Sequence, residues 1–125
     1  PSYGGTWDVR YVFSVDDCQI ALPGVPGFLD QHTIEQAGSS LLLSARSGFF
    51  DAAAADIAAD GSFEVESASE GDIFGAGVFC QLVSRVSYES PHEGESESLF
   101  SQTIVCDDGY TCETLARGTA LKQPA

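Results

Sequence analysis

Cysteine and histidine are the residue types of this chain that could do chemistry, and both are scarce. Cys18, Cys80, Cys106 and Cys112 include no Cys-x-x-Cys pair, although zinc ligands usually come in such close pairs. An even number of cysteines without that spacing favours two disulfides. Because disulfides persist outside a reducing cytosol, the sequence predicts a secreted, periplasmic or cell-surface protein.

The two histidines offer little for acid–base or metal chemistry. His32 adjoins a predicted strand and His92 lies in an acidic loop, so we expect both to be ordinary surface residues. The chain contains no His-Glu-x-x-His metal motif, Gly-x-Ser-x-Gly elbow, P-loop or dinucleotide fingerprint. The sequence therefore predicts a protein that is not an enzyme, with no catalytic residue, metal or cofactor.

The charge of the chain limits its partners. Five Lys and Arg residues stand against nineteen Asp and Glu, for a formal net charge of −14. This charge repels phosphate backbones and anionic headgroups, so we expect no nucleic-acid partner. We also expect no membrane insertion, because no apolar run approaches the ~18 residues of a membrane helix.

Several carboxylates cluster in predicted loops. Asp is common in turns because its side chain bonds local backbone amides. The alternative is a set of hard oxygen ligands for Ca²⁺, although their spacing matches no EF-hand. The residues concerned are Asp16, Asp17, Glu70, Asp72, Asp107 and Asp108.

Apolar residues alternate with polar ones along most of the chain, which is typical of half-buried strands. The clearest case is 7–15, and a further strand is expected to begin at Phe49. Segment 52–59 contains four consecutive Ala, which favour helix, but its neighbours favour sheet and we interpret it as strand. The eight predicted strands are 7–15, 32–36, 40–46, 52–59, 62–67, 78–89, 99–106 and 112–121.

Eight strands joined mainly by short turns would leave two exposed edges in a flat sheet. Closure removes those edges by pairing the first strand with the last. We therefore predict one all-β domain over residues 1–125, an eight-stranded antiparallel up-and-down barrel.

The barrel suggests how the cysteines pair. One antiparallel register between the sixth and seventh predicted strands opposes Cys80 to Cys106, at a separation that a disulfide can span. Cys18 and Cys112 then remain, at the end of the first strand and the start of the last, and they meet only if the barrel closes. The alternative, Cys106–Cys112 with Cys18–Cys80, stays sterically open, since spacing alone does not fix connectivity.

Gly5-Thr6-Trp7 at the start of the first strand resembles the Gly-x-Trp signature of lipocalin-like barrels. Together with a Thr-Ile-x-Gln-x-Gly hairpin, Asp-Gly-x-Phe and a late Cys, the pattern is similar to many small secreted bacterial barrels. The resemblance implies that Arg117 covers Trp7 by a cation–π contact. It also implies a non-enzymatic binding module for a small hydrophobic ligand or a protein partner.

Large aromatic side chains are expected on the inner face of such a barrel. With Ser84 and Gln102 they would make a mostly apolar wall with a few polar groups, as small-molecule pockets usually have. The predicted ligand-binding residues are Trp7, Tyr11, Phe13, Phe63, Tyr88 and Phe100.

The outer face carries apolar residues as well, which favours a second hypothesis. If the barrel is solid, exposed apolar side chains would mark contacts of a structural or accessory subunit in an extracellular or periplasmic assembly. The residues that alternation places outward are Val12, Leu42, Phe79, Val83 and Val105.

Overall fold

A computed structural model of the protein describes residues 2–19, 24–47, 52–89 and 91–124. These residues form eight antiparallel strands and no helix, so the predicted all-β class is confirmed. None of the described segments is therefore a helix able to span a membrane. The strands are β1 (Gly5–Asp16), β2 (Gly27–Ala37), β3 (Ser40–Ala45), β4 (Ala53–Asp56), β5 (Phe63–Gly71), β6 (Cys80–Tyr88), β7 (Glu95–Cys106) and β8 (Thr111–Lys122).

Two strands begin four or five residues earlier than their sequence pattern indicated. β2 begins at Gly27 and β7 at Glu95; the pattern missed these starts because polar residues at inward positions, including Asp30 in β2, interrupt the apolar alternation. In β7 these positions are Ser96 and Ser98, both buried. Of the predicted strand 52–59, only Ala53–Asp56 forms β4. The expected strand start at Phe49 lies outside the described residues.

The sheet curls into a nearly closed barrel. Its strand order is β4-β3-β2-β1-β8-β7-β6-β5, so the first and last strands pair as predicted. The ends of the sheet, β4 and β5, lie side by side, but within the described residues no ladder joins them. The incomplete seam is therefore between β4 and β5 and not between the termini.

Both disulfides are those that the barrel register favours. Cys80 and Cys106 are directly opposed in the β6–β7 ladder and are bonded to each other. Cys18 and Cys112 form the second disulfide, which links the end of β1 to the start of β8. The alternative connectivity is therefore wrong, and both bridges lie at one end of the barrel, here called the disulfide end.

Tyr3 plugs the opposite end. It precedes β1 and is fully buried. Its N–H donates to Oε1 of Gln36 over 2.7 Å, and its carbonyl accepts from Nε1 of the buried Trp7 over 2.7 Å. Its hydroxyl lies 2.6 Å from the carbonyl oxygen of Glu89. These contacts join β1, β2 and the end of β6, so this end is closed.

The expected contact between Arg117 and Trp7 is wrong. In the β1–β8 ladder Trp7 is opposite Lys122, whereas Arg117 is opposite Val12. Strand alternation places Arg117 on the outer wall, where its side chain is 71% exposed and Nη1 lies 3.2 Å from Oε1 of Glu97. Tyr3, and not an arginine, covers the indole.

A β-bulge near the end of β1 changes which side chains face inward. The β1–β8 register shifts between Phe13 and Val15. The predicted inward alternation therefore ends at Phe13, and Asp16 takes the next inward position, since bulges re-aim the side chains that follow them. Oδ1 of Asp16 accepts a hydrogen bond of 3.1 Å from the hydroxyl of the buried Thr114.

The two disulfides should differ in their contribution to stability. Cys18–Cys112 closes a separation of 94 residues and Cys80–Cys106 one of 26, for which chain entropy predicts ~4.7 and ~3.5 kcal/mol. The double variant Cys18→Ala/Cys112→Ala should therefore lose about 1 kcal/mol more than Cys80→Ala/Cys106→Ala in denaturant unfolding. An equal or larger loss in the second variant would contradict this account.

Candidate binding cup

The inner wall of the barrel is fully buried near Tyr3 and becomes partly exposed toward the disulfide end. In β1, Tyr11 is buried and the next inward residue, Phe13, is partly exposed. In β6, Leu82 is partly exposed, although Ser84 and Cys80 on either side of it are buried. As in β1, the inward residues of β2, β3 and β5 change from buried to partly exposed, and an inward residue of β4 is also partly exposed. We call this accessible part of the wall the cup: Phe13, Phe28, Ala45, Ala53, Ser67 and Leu82.

Small side chains account for the accessibility of the cup. Along β3 the inward residue changes from Leu43 to Ala45, and along β5 from Val65 to Ser67. On the opposite wall, β6, β7 and β8 are sealed at the disulfide end by a buried cluster around the cystines, and Leu82 packs against that cluster. The accessible wall therefore runs from β1 through β4 to β5, with Leu82 of β6 at its margin.

The six predicted ligand-binding aromatics come together inside the barrel, but at different depths. Five of them are buried and form a floor beneath the cup, whereas Phe13 belongs to the cup itself. Within the floor, the rings of Phe63 and Tyr88 stack with centroids 5.0 Å apart. Their role in ligand binding stays a prediction. The floor residues are Trp7, Tyr11, Phe63, Tyr88 and Phe100.

Phe28 joins the floor to the cup and was missed by the sequence analysis. Its ring centroid lies 5.1 Å from that of Tyr11, 5.4 Å from Phe100 and 5.5 Å from Phe13. The available signal was its parity with Ile34, since both occupy inward positions of β2. The Pro/Gly-rich sequence before Phe28 and the polar residues between Phe28 and Ile34 obscured that signal.

A row of polar side chains crosses the inner wall at the level of the cup. In the ladders of β5 to β8 and β1, Ser67 opposes Ser84, Ser84 opposes Gln102, Gln102 opposes Thr114, and Thr114 opposes Asp16. We call these five residues the polar row. Its middle three members are buried and its two ends partly exposed. The predicted polar groups Ser84 and Gln102 thus lie together, with Nε2 of Gln102 3.4 Å from the hydroxyl of Ser84.

His32 is fully buried, so its expected surface position is wrong. It lies in the middle of β2, because that strand begins at Gly27, and its side chain faces inward. Nδ1 is 2.6 Å from the hydroxyl of Tyr88, and Nε2 is 3.3 Å from Oδ2 of Asp30. Nε2 makes no hydrogen bond of regular geometry to the described residues, and the Asp30 carboxylate lies beside it.

Asp30 is held as a carboxylate inside the barrel wall. Its side chain is only 4% exposed, and it accepts hydrogen bonds of 2.9 Å from both the backbone N–H and the hydroxyl of Ser47. Burial acts to raise the pKa of Asp30, but His32, the Gln31 N–H and Ser47 lower it by more. The pKa of Asp30 therefore lies below its ordinary value. Burial, with the negative charge of Asp30 nearby, raises the pKa of Tyr88.

Tyr11 reaches across one strand because that strand carries glycine. In the ladders, Gly118 lies between Tyr11 and Ser98, and the Tyr11 hydroxyl is 2.6 Å from Oγ of Ser98. A Cβ at position 118 would lie 2.3 Å from the carbonyl oxygen of Arg10 and 3.0 Å from the Tyr11 ring. Glycine at this position thus permits the hydrogen bond that fixes the Tyr11 ring in the floor beneath the cup.

Two of the six acidic residues predicted in loops bond to their own turns, whereas Asp16 and Glu70 lie in β1 and β5. The carboxylate of Asp72 accepts from the N–H groups of Ala76 and Gly77, and that of Asp108 from the N–H of Tyr110. Among residues 2–19, 24–47, 52–89 and 91–124, no group of three or more His, Cys, Asp or Glu is arranged to hold a metal ion. His92 is exposed, as expected.

Comparison of the chain with known protein families, with curated proteins and with solved structures finds no match. The two disulfides nevertheless indicate an oxidising environment.

The buried carboxylate predicts a specific loss of stability in acid. A lowered pKa means that Asp30 stabilises the fold above its unfolded pKa of about 3.9, and that this contribution disappears as the pH falls through the lower folded pKa. Asp30→Asn should therefore cost about 1–3 kcal/mol near pH 7, and its difference from the wild type should shrink below about pH 4. Urea unfolding at several pH values measures both effects. Glu35→Gln, an exposed position on the same strand, makes the same charge change and should show neither effect.

Proposed function

We propose that this protein is a non-enzymatic, lipocalin-like binding module that takes a small, mostly apolar ligand into the cup. The observation that carries this proposal is the shared change in burial along four strands, β1, β2, β3 and β5. Natural cores are close-packed and leave few inner side chains exposed. An inner wall that is buried at one end and accessible at the other is suited to a ligand that enters from the accessible end.

The chemistry of the cup indicates which ligands it favours. Phe13, Phe28 and Leu82 offer apolar surface, and the polar row offers hydroxyl, amide and carboxylate groups beside it. Pockets for small molecules usually combine such surfaces. With a net charge of −14, the protein repels anions over about a Debye length. A neutral or cationic ligand with a large apolar part therefore fits best.

The closed end supports the likeness to lipocalins and a role without catalysis. Trp7 of the Gly5-Thr6-Trp7 motif lies fully buried at the end of the barrel opposite the cup. His32 is enclosed by the floor and already contacts Tyr88 and Asp30, so its imidazole is not presented at the accessible wall. With two disulfides, the site of action would be secreted, periplasmic or on a cell surface.

The outer surface favours the accessory-subunit role as a second candidate. Four of the five outward apolar residues that we predicted are exposed, namely Val12, Leu42, Phe79 and Val105. Val83 is instead half-buried. Exposed apolar side chains of this size are candidates for protein contacts where they lie together.

Filling the cup should block ligand uptake. Ala53 and Ala54 are neighbours on β4, the first facing inward and partly buried, the second facing outward and exposed. With the neutral fluorescent probe N-phenyl-1-naphthylamine, we expect saturable binding to the wild type and to Ala54→Phe. Binding to Ala53→Phe should be at least tenfold weaker, because the added ring occupies the space of the probe.

Circular dichroism of both variants checks that the barrel is retained, and Ser67→Phe provides a second inward variant on β5. Displacement of the probe by amphiphiles of different charge then identifies the preferred headgroup. A wild type without saturable binding, or equal affinity in all variants, would show that the cup is not a ligand site.

A further inference from the structure

An apolar cavity lies outside the barrel, on the loops of the disulfide end. It has a volume of about 250 Å³. The loop between β5 and β6 and the loop between β7 and β8 form its walls, with Phe74, Ala76, Val78 and Tyr110, and the Cys80–Cys106 disulfide lies against it. We call this cavity the rim pocket. None of its residues belongs to the cup.

The rim pocket is framed by two exposed aromatic rings. Phe74 is 53% and Tyr110 45% exposed, and their rings meet edge to face with centroids 5.8 Å apart. Phe79 and Val105 are exposed at the same end of the barrel. Exposed apolar groups that lie together mark interaction sites more often than single ones do, and aromatic residues are enriched in protein interfaces.

Hydrogen bonds hold both loops in place. Oδ1 and Oδ2 of Asp72 accept from the N–H groups of Ala76 and Gly77 over 3.0 and 2.9 Å. The N–H of Asp107 donates to the carbonyl oxygen of Phe79 over 2.9 Å, which joins one loop to the other. A pocket fixed before binding loses less conformational entropy when a partner docks.

The charge around the rim pocket is negative. Asp72, Asp107 and Asp108 lie on the two loops, and Asp108 also lines the pocket. Residues 72–79 and 107–110 include no Lys or Arg. An apolar pocket with carboxylates beside it complements an apolar side chain flanked by cations.

We propose that the rim pocket docks a basic segment of another protein, with an aliphatic or aromatic side chain inserted between Phe74 and Tyr110 and a neighbouring Lys or Arg at Asp107 and Asp108. This partner site is separate from the ligand cup and does not depend on it. Electrostatic attraction brings the basic segment to the loops, and the aromatic pair supplies the apolar contact.

Three synthetic peptides test the proposal by NMR on the intact, oxidised protein. They are Ser-Lys-Leu-Lys-Ser, its acidic counterpart Ser-Glu-Leu-Glu-Ser, and Ser-Lys-Gly-Lys-Ser, which lacks the apolar side chain. We expect the first alone to shift the backbone amide signals of Phe74, Ala76 and Tyr110. Its affinity should fall at least fivefold between about 50 and 500 mM NaCl, because salt screens exposed charges.

Matched variants separate the apolar and ionic contributions. Phe74→Ala and Asp107→Asn/Asp108→Asn should each weaken binding of the basic peptide at least fivefold. Leu121→Ala, an exposed position on β8, should leave the affinity unchanged. Ala53→Phe should also leave it unchanged, so failure of the ligand cup and failure of the rim pocket are distinguishable.

Three results would overturn the proposal. They are equal shifts from all three peptides, shifts that map outside the rim pocket, and unchanged affinity in Phe74→Ala. Sedimentation of the protein alone tests a further occupant, since self-association abolished by Phe74→Ala would assign the pocket to a second copy of this chain.

Discussion

The pairing of β1 with β8 is the constraint on which the rest of the structure depends. It brings together strands from the two ends of the chain, so it closes nearly the whole sequence into one loop at a considerable entropic cost. The Cys18–Cys112 bridge holds the same two strands covalently at the disulfide end. Once these strands pair, every other neighbour in the barrel is a hairpin partner, and the only unpaired junction in the described sheet lies between β4 and β5.

Closure at the termini also decides how the two ends of the barrel differ. Near the N-terminus, Tyr3 inserts its ring and its hydrogen bonds into the opening, and Trp7 packs beneath it. At the other end, the bulge after Phe13 turns Asp16 inward, so the polar row continues from β5 through β8 onto β1. This single register shift thus extends the polar row beside the cup onto β1. In a regular β1, Val15 would face inward at this position.

Much of this fold could be predicted from the sequence, because alternation fixes which residues face inward and opposed positions fix the register. Cys80 and Cys106 are paired for that reason, and the inward set of β6 is as expected. His32 was misjudged because the inward residues before it in β2 include Asp30, which breaks the apolar pattern. The bulge and the plugging role of Tyr3 leave no periodic signal, since each depends on contacts between segments distant in sequence. Phe28 follows the same rule, and only three-dimensional contacts show it joining the floor to the cup.

The position of both candidate sites follows from how each end of the barrel is stabilised. At the closed end, Gln36 and the carbonyl group of Glu89 provide contacts for Tyr3, which fills the interior. At the disulfide end, two covalent bonds and the carboxylates of Asp72 and Asp108 stabilise the described loops. Loops on a rigid scaffold commonly carry function because they need not provide the core packing. Here the disulfides and the loop hydrogen bonds let apolar surface stay exposed in fixed geometry, inside the barrel as the cup and outside it as the rim pocket. A surface that is preorganised in this way loses less conformational entropy on binding.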